Sequence, residues 1–476
     1  MGVRGALGVG GGGTGPGGAG PGGTGQAGGA GLPALRGHNT ALVLDLLRRA
    51  GEGGISRPEL AAGTGLTPQA VSKITARLRS EGLVADAGRR ASTGGKPATA
   101  LRLVPSAAYA IGIHLDRDEL TAVLLDLAGT RVAERRSPLD LGAGADTVLA
   151  AVRTEVAALR GVLGWHATGP AGPAGASAGL DAAGTNAPDS APTGPAGASA
   201  GPDSAGTKAP GQAPAGNNLP DPAPTRASAP ASVSAPTPAS APASVSAPAG
   251  APARVLGVGV AMPGPLDHWA GRPGRVTGFP EWEGFPLRDE LARWLGVPVV
   301  VDKDTNAAAL GLALRPGAPA SFAYVHLGTG LGAGLVLGGA VLRGGRTGAG
   351  ELGHQTVQMD GPPCDCGGRG CLEVLCLGAL ARGEVATAAR VLGTGAANLV
   401  RLLDIDRVLL GGRAVLADPE AYARGVREVL GGLGLPADVE AAGTPYAVAE
   451  GAAQLILAPV FGKEPSVRPS HDREVG

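Results

Sequence analysis

The chain has few aromatics, few cysteines, no net charge and no long apolar run. Phe, Trp and Tyr number four each in 476 residues, and much of the 43% apolar fraction is Ala. With 84 Gly and 41 Pro, about a quarter of the chain, this excludes one uniform globular body. Forty Lys and Arg balance forty Asp and Glu. The whole chain is therefore no polycation for nucleic acid or membranes, and any such role is local. No apolar stretch approaches the length of a membrane span. Glycine repeats stand where a signal peptide would need an apolar core, so none is expected and the chain reads as cytoplasmic. Cys364, Cys366, Cys371 and Cys376 fall within 13 residues. A disulfide framework would scatter them; a tight cluster favours a metal.

The glycines and prolines are clustered. Residues 1–35 form a Gly-rich tail, 165–253 an Ala/Pro/Gly/Ser-rich stretch and 463–476 a polar tail. None has the large apolar side chains that offset chain entropy, so all three are expected to be disordered. The remainder suffices for a small domain over 36–104 and a large one over 105–462. The 165–253 stretch falls inside the large domain, between an expected helix at Thr147–Leu163 and an expected strand at Val255–Val260. The cost of a long loop grows only logarithmically, so a surface insertion is tolerable there.

Residues 36–104 read as a winged helix-turn-helix. Asn39–Ala50 is an amphipathic helix with Leu42, Leu46 and Leu47 on one side. Ser56-Arg57-Pro58-Glu59 is a capping box with proline in the first turn, where a missing N–H is harmless. That helix is expected to run to Ala62, with Gly63-Thr64-Gly65 as the turn. Thr67 then caps a second helix that starts at Pro68 and ends before Gly82. Val71, Ile74 and Leu78 point inward, leaving Gln69, Ser72, Lys73 and Arg77 on the outer face. Val84 to Leu103 can form a two-stranded wing with Arg89, Arg90 and Lys96 near its tip.

This module holds 11 Lys or Arg against 5 Asp or Glu, so it is basic within a neutral chain. The basic residues sit on the second helix and the wing, the elements that would enter a major groove and touch its flanks. Lys73, Arg77, Arg89, Arg90 and Lys96 are the candidates for phosphate or base-edge contact. Gln69 and Ser72 are the candidates for base readout, and Thr67 joins the DNA-binding set at the helix start. The alternative is a solvated basic face on a dimerisation module.

From about Ala108 the pattern turns to strands at Tyr109–His114, Glu119–Asp126 and Arg131–Pro138. After the insertion come helix Pro286–Leu295, strand Val297–Val301, helix Thr305–Leu314 and strands Ala323–His326 and Gly332–Leu337. Two similar strand-and-helix halves suggest a two-lobed α/β fold. The strongest local signal is His354 followed by Cys364, Cys366 and Cys371. One imidazole and three thiolates can close a tetrahedral zinc shell, and a full shell leaves no water, so that site is structural. Gly367, Gly368 and Gly370 allow sharp turns between the ligands. Reduced thiols without metal are the alternative. Cys376 is expected in the following helix.

The basic module followed by this knuckle resembles the ROK family of repressors, open reading frames and sugar kinases, over residues 37–462 apart from the insertion. Further motifs match: Pro263-Gly264-Pro265-Leu266-Asp267, Asp304-Thr305-Asn306-Ala307, the glycine loop Gly328–Gly334, the Glu351/His354 pair, the knuckle with Glu373, and Gly411-Gly412. The resemblance implies an actin-like ATPase fold with two lobes, a sugar in the cleft between them and homodimers or higher oligomers. It implies a sugar site at Asp304, Asn306, Glu351, His354 and Glu373, with Asp304 as the base if the protein were a kinase. Carboxylates and imidazole suit a polyol, because each hydroxyl both donates and accepts.

The chain departs from the family kinases at the phosphate turn. Their Asp-x-Gly-Gly-Thr stretch is Asp116-Arg117-Asp118 here, so the backbone cannot approach phosphate closely and two carboxylates oppose it. Gly278 stands where the family has a sugar-contacting Asn, and the region between Glu373 and Asn398 is short. These features predict a DNA-binding, sugar-responsive repressor of carbohydrate-use genes, with structural zinc, a homodimer on a palindromic operator and no kinase activity. Its effector would be a sugar or sugar phosphate. The rivals are an ATP-dependent sugar kinase with an appended DNA-binding domain, and a DNA-binding protein controlled by a protein partner.

Overall fold

The computed structural model describes residues 37–89, 99–164, 254–442 and 444–463. The tail over 1–35, the 165–253 stretch, the tail from 464, Arg90 and Lys96 lie outside the described residues.

The N-terminal module is built from α1 (His38–Ala50), β1 (Ile55–Ser56), α2 (Arg57–Thr64), α3 (Pro68–Ser80), β2 (Val84–Arg89) and β3 (Thr99–Leu103). The capping box forms as expected: the Ser56 hydroxyl accepts from the Glu59 N–H, and the Glu59 carboxylate accepts from the Ser56 N–H at 2.8 Å. Helix α2 ends later than Ala62. It continues to Thr64, because Gly65 takes the left-handed conformation (φ 71°) that closes it. The wing gains a strand the pattern did not show: β1 pairs with β3, giving the order β1-β3-β2.

The large domain contains two copies of one plan. The first runs β4 (Tyr109–Leu115), β5 (Glu119–Asp126), β6 (Arg131–Pro138), α4 (Ala145–Val162), β7 (Val255–Met262), a small ribbon of β8 (Leu266–Asp267) and β9 (Arg272–Pro273), α5 (Leu287–Leu295), β10 (Val299–Lys303) and α6 (Asp304–Ala313). The second runs β11 (Phe322–Leu327), β12 (Leu331–Leu337), β13 (Ala340–Leu342), α7 (Leu372–Ala381), α8 (Val385–Leu403), β14 (Arg407–Gly411), α9 (Arg413–Ala417), α10 (Pro419–Gly432), β15 (Asp438–Ala441) and α11 (Ala447–Leu457). The sheets order as β10-β7-β4-β5-β6 and β13-β12-β11-β14-β15. In each, three antiparallel strands are extended by two parallel ones. This is the two-lobed arrangement of an actin-like fold. The strand expected at Val297–Val301 starts two residues later, since pairing with β7 begins at Val299.

Helix α6 packs on the second sheet, α11 on the first, and the two helices pack together. Glycines permit this closeness. A Cβ on Gly451 would lie 1.8 Å from the Ala307 carbonyl oxygen, and one on Gly259 1.8 Å from that of Ala452. The crossing brings both halves to one cleft, with Asp304 at the start of α6.

The N-terminal module shares its core with the first lobe. Val43, Leu44, Leu47, Leu60, Val71 and Leu78 form one buried cluster with Val123, Leu125, Ala453, Leu457 and Phe461. The module is docked by apolar burial rather than tethered, at about 25 cal/mol per Å² of apolar area removed from water.

Candidate functional site

On the module, α3 turns Val71, Thr75 and Leu78 inward. Thr67, Gln69, Ser72, Lys73 and Arg77 are exposed. The Thr67 hydroxyl accepts from the Ala70 N–H at 3.2 Å, so it serves as the helix cap. Arg77 donates to the Thr40 hydroxyl at 3.1 Å, which leans its guanidinium toward α1. Arg79, on the same helix, pairs with Asp86 of the wing and ties the two together. The backbone of Arg89 closes β2.

The second constellation is the knuckle. One donor atom from each of His354, Cys364, Cys366 and Cys371 lies within 4.8 Å of all the others. Cys366 and Cys371 sulfurs are 3.7 Å apart, and His354 Nδ1 is 3.8 Å from Cys364 Sγ. A tetrahedron with metal–sulfur bonds of about 2.3 Å has edges of about 3.8 Å. The four donors are therefore grouped closely enough to hold one metal ion. Cys376 lies outside the group, buried in α7 with its thiol toward the Ala388 carbonyl.

Through His354 the knuckle reaches the wall of the interlobe cleft, which Asp304, Glu351 and Glu373 also line. Glu373 accepts from the Leu331 N–H at 2.7 Å, fixing α7 to the glycine loop. Asn306 does not join them. It is fully buried and its amide donates to Asp302 at 3.2 Å, so it braces the strand–helix junction behind the cleft. Gly278 is absent from the lining, but its neighbour Thr277 reaches it. The open space is only about 60 Å³, room for about two waters.

Three cleft features escaped the sequence reading. Lys303 is buried, and its ammonium donates to Glu351 at 3.0 Å and to the Ala349 carbonyl. His326 also lines the cleft, with burial and the neighbouring His114 holding its imidazole down at about 4. Arg413, the first residue of α9, spans the halves: it donates to Asp118 at 3.0 Å and to Asp116 at 3.2 Å. The Thr329 hydroxyl also donates to Asp116. Arg413 thus neutralises the turn whose two carboxylates replace glycines. Two acids flanking a single cation, Arg117, were the available signal that a further cation is needed.

Burial pushes the Asp304 carboxyl up to about 7; Asp116 and Glu351 add to the rise, and Lys303 and the Thr305 N–H oppose it. Between the ordinary value of 3.8 and about 7, only the folded state keeps this proton. The stability it contributes is therefore lost as pH rises through that window and is level above it. Asp304→Asn should stabilise the fold more at pH 8 than at pH 5, the gain growing by at most about 1.4 kcal/mol per pH unit inside the window. Urea melts of both proteins across pH check this; an equal gain at every pH would count against a buried, protonated Asp304.

Comparison with known proteins adds two family matches and several relatives. The ROK family model matches residues 240–382, and a winged helix-turn-helix DNA-binding model matches residues 41–85. A glucokinase of Thermotoga maritima is 42% identical over 124 residues, 25% of this chain and 38% of that protein. A putative xylose repressor of Caldicellulosiruptor sp. is 36% identical over 121 residues, 25% of this chain and 30% of that protein. The matched segment thus spans about a third of each of these relatives, and a kinase and a repressor stand side by side among them. In structure, the chain is similar to a ROK family transcriptional regulator described as a homologue of the E. coli Mlc protein. The TM-score is 0.58 at 19% identity, covering 89% of this chain and 96% of that one, which shows the shared fold.

Proposed function

Because this chain carries a ROK-family domain behind a winged helix-turn-helix module, we propose that it is a cytoplasmic, sugar-responsive transcriptional repressor. The observation that carries this reading is the shared core: a module with an exposed polar and basic α3 face is packed directly on a lobe of a sugar-type cleft. A two-fold dimer would present two such faces to a palindromic site. Lys73 and Arg77 would meet phosphates or base edges, with Gln69 and Ser72 reading bases. The His/Cys3 donors suit zinc, held in a closed structural shell by His354, Cys364, Cys366 and Cys371.

The effector would be a small polyol held by Asp304, Glu351, His354 and Glu373. A sugar held by groups from both halves of the cleft would favour one lobe arrangement over another. That differential affinity is what shifts a two-state equilibrium. With the module fixed to the first lobe, a change between lobes would reach the DNA face. Selection of genomic fragments by purified protein at about 0.15 M salt, repeated with a sugar panel, tests this. Enrichment of a palindrome that a sugar alters is expected; no enrichment in any condition overturns the reading.

Lys73→Ala should weaken binding to all fragments alike and reduce the salt slope by about 1, whereas Gln69→Ala should relax sequence preference by about 1–3 kcal/mol at one base pair. Titration of the selected site and its single-base variants at several salt concentrations checks both.

The rival is an ATP-dependent sugar kinase, favoured by the glucokinase similarity and by a carboxyl near neutrality at Asp304. Against it stands the phosphate turn, where Asp116 and Asp118 face Arg413 rather than offering backbone N–H groups. No hexose-dependent ATP turnover is expected; turnover with any hexose would replace the repressor reading with the kinase.

A further inference from the structure

Apart from the interlobe cleft, a space of about 750 Å³ lies where the N-terminal module meets the body. That is the size of a small-molecule site. Four separate parts of the chain wall it: the end of α1, the β5–β6 turn, the end of α6 with the following loop, and α11 with the segment after it. We propose that this cavity is a second effector site, for a phosphorylated polyol such as a hexose phosphate.

Charge selects the ligand class. Arg48, Arg49, Arg315 and Lys463 line the cavity against one carboxylate, Glu450. Arg48 and Arg49 share Asp45, at 3.1 and 2.5 Å, and Arg315 lies 3.7 Å from Glu450. Glu450 is itself engaged by Arg131 at 2.6 Å. The lining therefore keeps excess positive charge even when these ion pairs are counted. Arginines in the last turn of α1 would be favoured by the helix dipole alone. Arg315 and Lys463 come from other segments, so that effect does not account for the convergence.

A second observation points to hydroxyls. Gln454 of α11 lines the same cavity and is only 9% exposed, yet its Oε1 has no hydrogen-bond partner among the described residues. A buried acceptor without a donor is costly, and a turn of the amide would bring Oε1 to the cavity, where a ligand hydroxyl would supply the donor. The interlobe cleft has more acids than cations, with Asp116, Asp304, Glu351 and Glu373 set against Arg117 and Lys303. A neutral sugar suits the cleft and an anionic one suits the junction. The two sites would let one protein sense a sugar and its phosphorylated form separately.

Position gives the site its consequence. Arg48 is held over the Phe461 ring at 4.4 Å, where the module rests on the body. A phosphate gripped from both sides would stiffen this seam. The effect on DNA rests on the repressor reading; the binding itself does not.

The test is calorimetric titration of the full chain with glucose 6-phosphate, and with glucose and inorganic phosphate in separate runs. Saturable binding of glucose 6-phosphate is expected. Arg315→Ser/Lys463→Ser, two exposed positions, should weaken it by about ten-fold or more. Exposed Arg424→Ser should leave it unchanged. No saturation at millimolar concentration, equal affinity in the double variant, or a like loss in Arg424→Ser would each overturn the proposal. Binding that leaves DNA affinity unaltered would spare the site but remove its regulatory role, whereas failure to bind any DNA would count against the repressor reading alone.

Discussion

Cys364→Ser is expected to strip the metal from the protein and, with it, most of the affinity for the effector sugar. The loss of metal affinity should exceed the roughly 10–100-fold typical of removing an outer-shell partner, because a thiolate of the shell itself is lost. The reach to the sugar follows from connectivity. His354 places Nδ1 among the cysteines while its ring lines the cleft. Cys371 is the N-cap residue of α7, and Glu373 stands two positions further on. The Leu372 N–H donates to the Gln355 carbonyl at 2.9 Å, and Val357 donates to Gly370, so the histidine segment and α7 are stitched together across the knuckle. A bound metal would fix that stitch at four points. Without it, two of the four sugar-facing groups lose their support while Asp304 and Glu351 keep theirs. Metal content by a chromophoric chelator and sugar titration on the same sample are the measurements. A full sugar response from metal-free protein would show that the hydrogen bonds alone hold the wall.

What could be read from the chain depended on how local its cause was. The capping box at Ser56 and the Thr67 cap are decided within four residues, and both formed where the pattern put them. Strands β5 and β6 were bounded correctly because alternation and turn residues delimit them. The end of α2 was misread because Gly63 looked like a breaker. Its missing Cβ instead makes room for Leu46, whose Cδ1 would lie 2.8 Å away from one. The metal donors were legible from spacing, since three of them sit in eight residues. Asn306 was not: a motif places it beside Asp304, but helical rotation turns it away from the cleft onto Asp302. Arg413 is almost three hundred residues from the acids it meets, and only the two-lobed topology joins them. The docking of the module was hidden for the same reason, as Val43 and Phe461 share a core from opposite ends of the chain.

The second large effect is expected at a residue that touches neither ligand. Asp302→Ala should destabilise the protein by about 3–5 kcal/mol, the cost of leaving a buried charge unpaired. Asp302 and Arg343 are exposed by only 1% and 2% of their side chains and lie 2.7 Å apart. Arg343 Nε donates to one carboxylate oxygen at 2.8 Å; the other accepts from the Lys303 N–H at 2.8 Å and from the Asn306 amide at 3.2 Å. Removing the carboxylate strands the guanidinium and also frees the junction between β10 and α6, which presents Lys303 and Asp304 to the cleft. Asp302→Ala/Arg343→Met removes both charges and should recover most of the stability, since apolar replacement of a buried pair is often neutral. It should not recover sugar affinity, because Asn306 and the Lys303 N–H still lack their acceptor. Denaturant midpoints at constant slope separate the two effects. If the single variant costs less than about 1 kcal/mol, the pair is solvated in solution and the junction is not held by it. If the double variant recovers both stability and affinity, Asp302 serves only to neutralise Arg343. The expected split, stability restored and affinity not, would assign Asp302 to positioning Lys303 and Asp304 through Asn306 and the backbone at the start of α6.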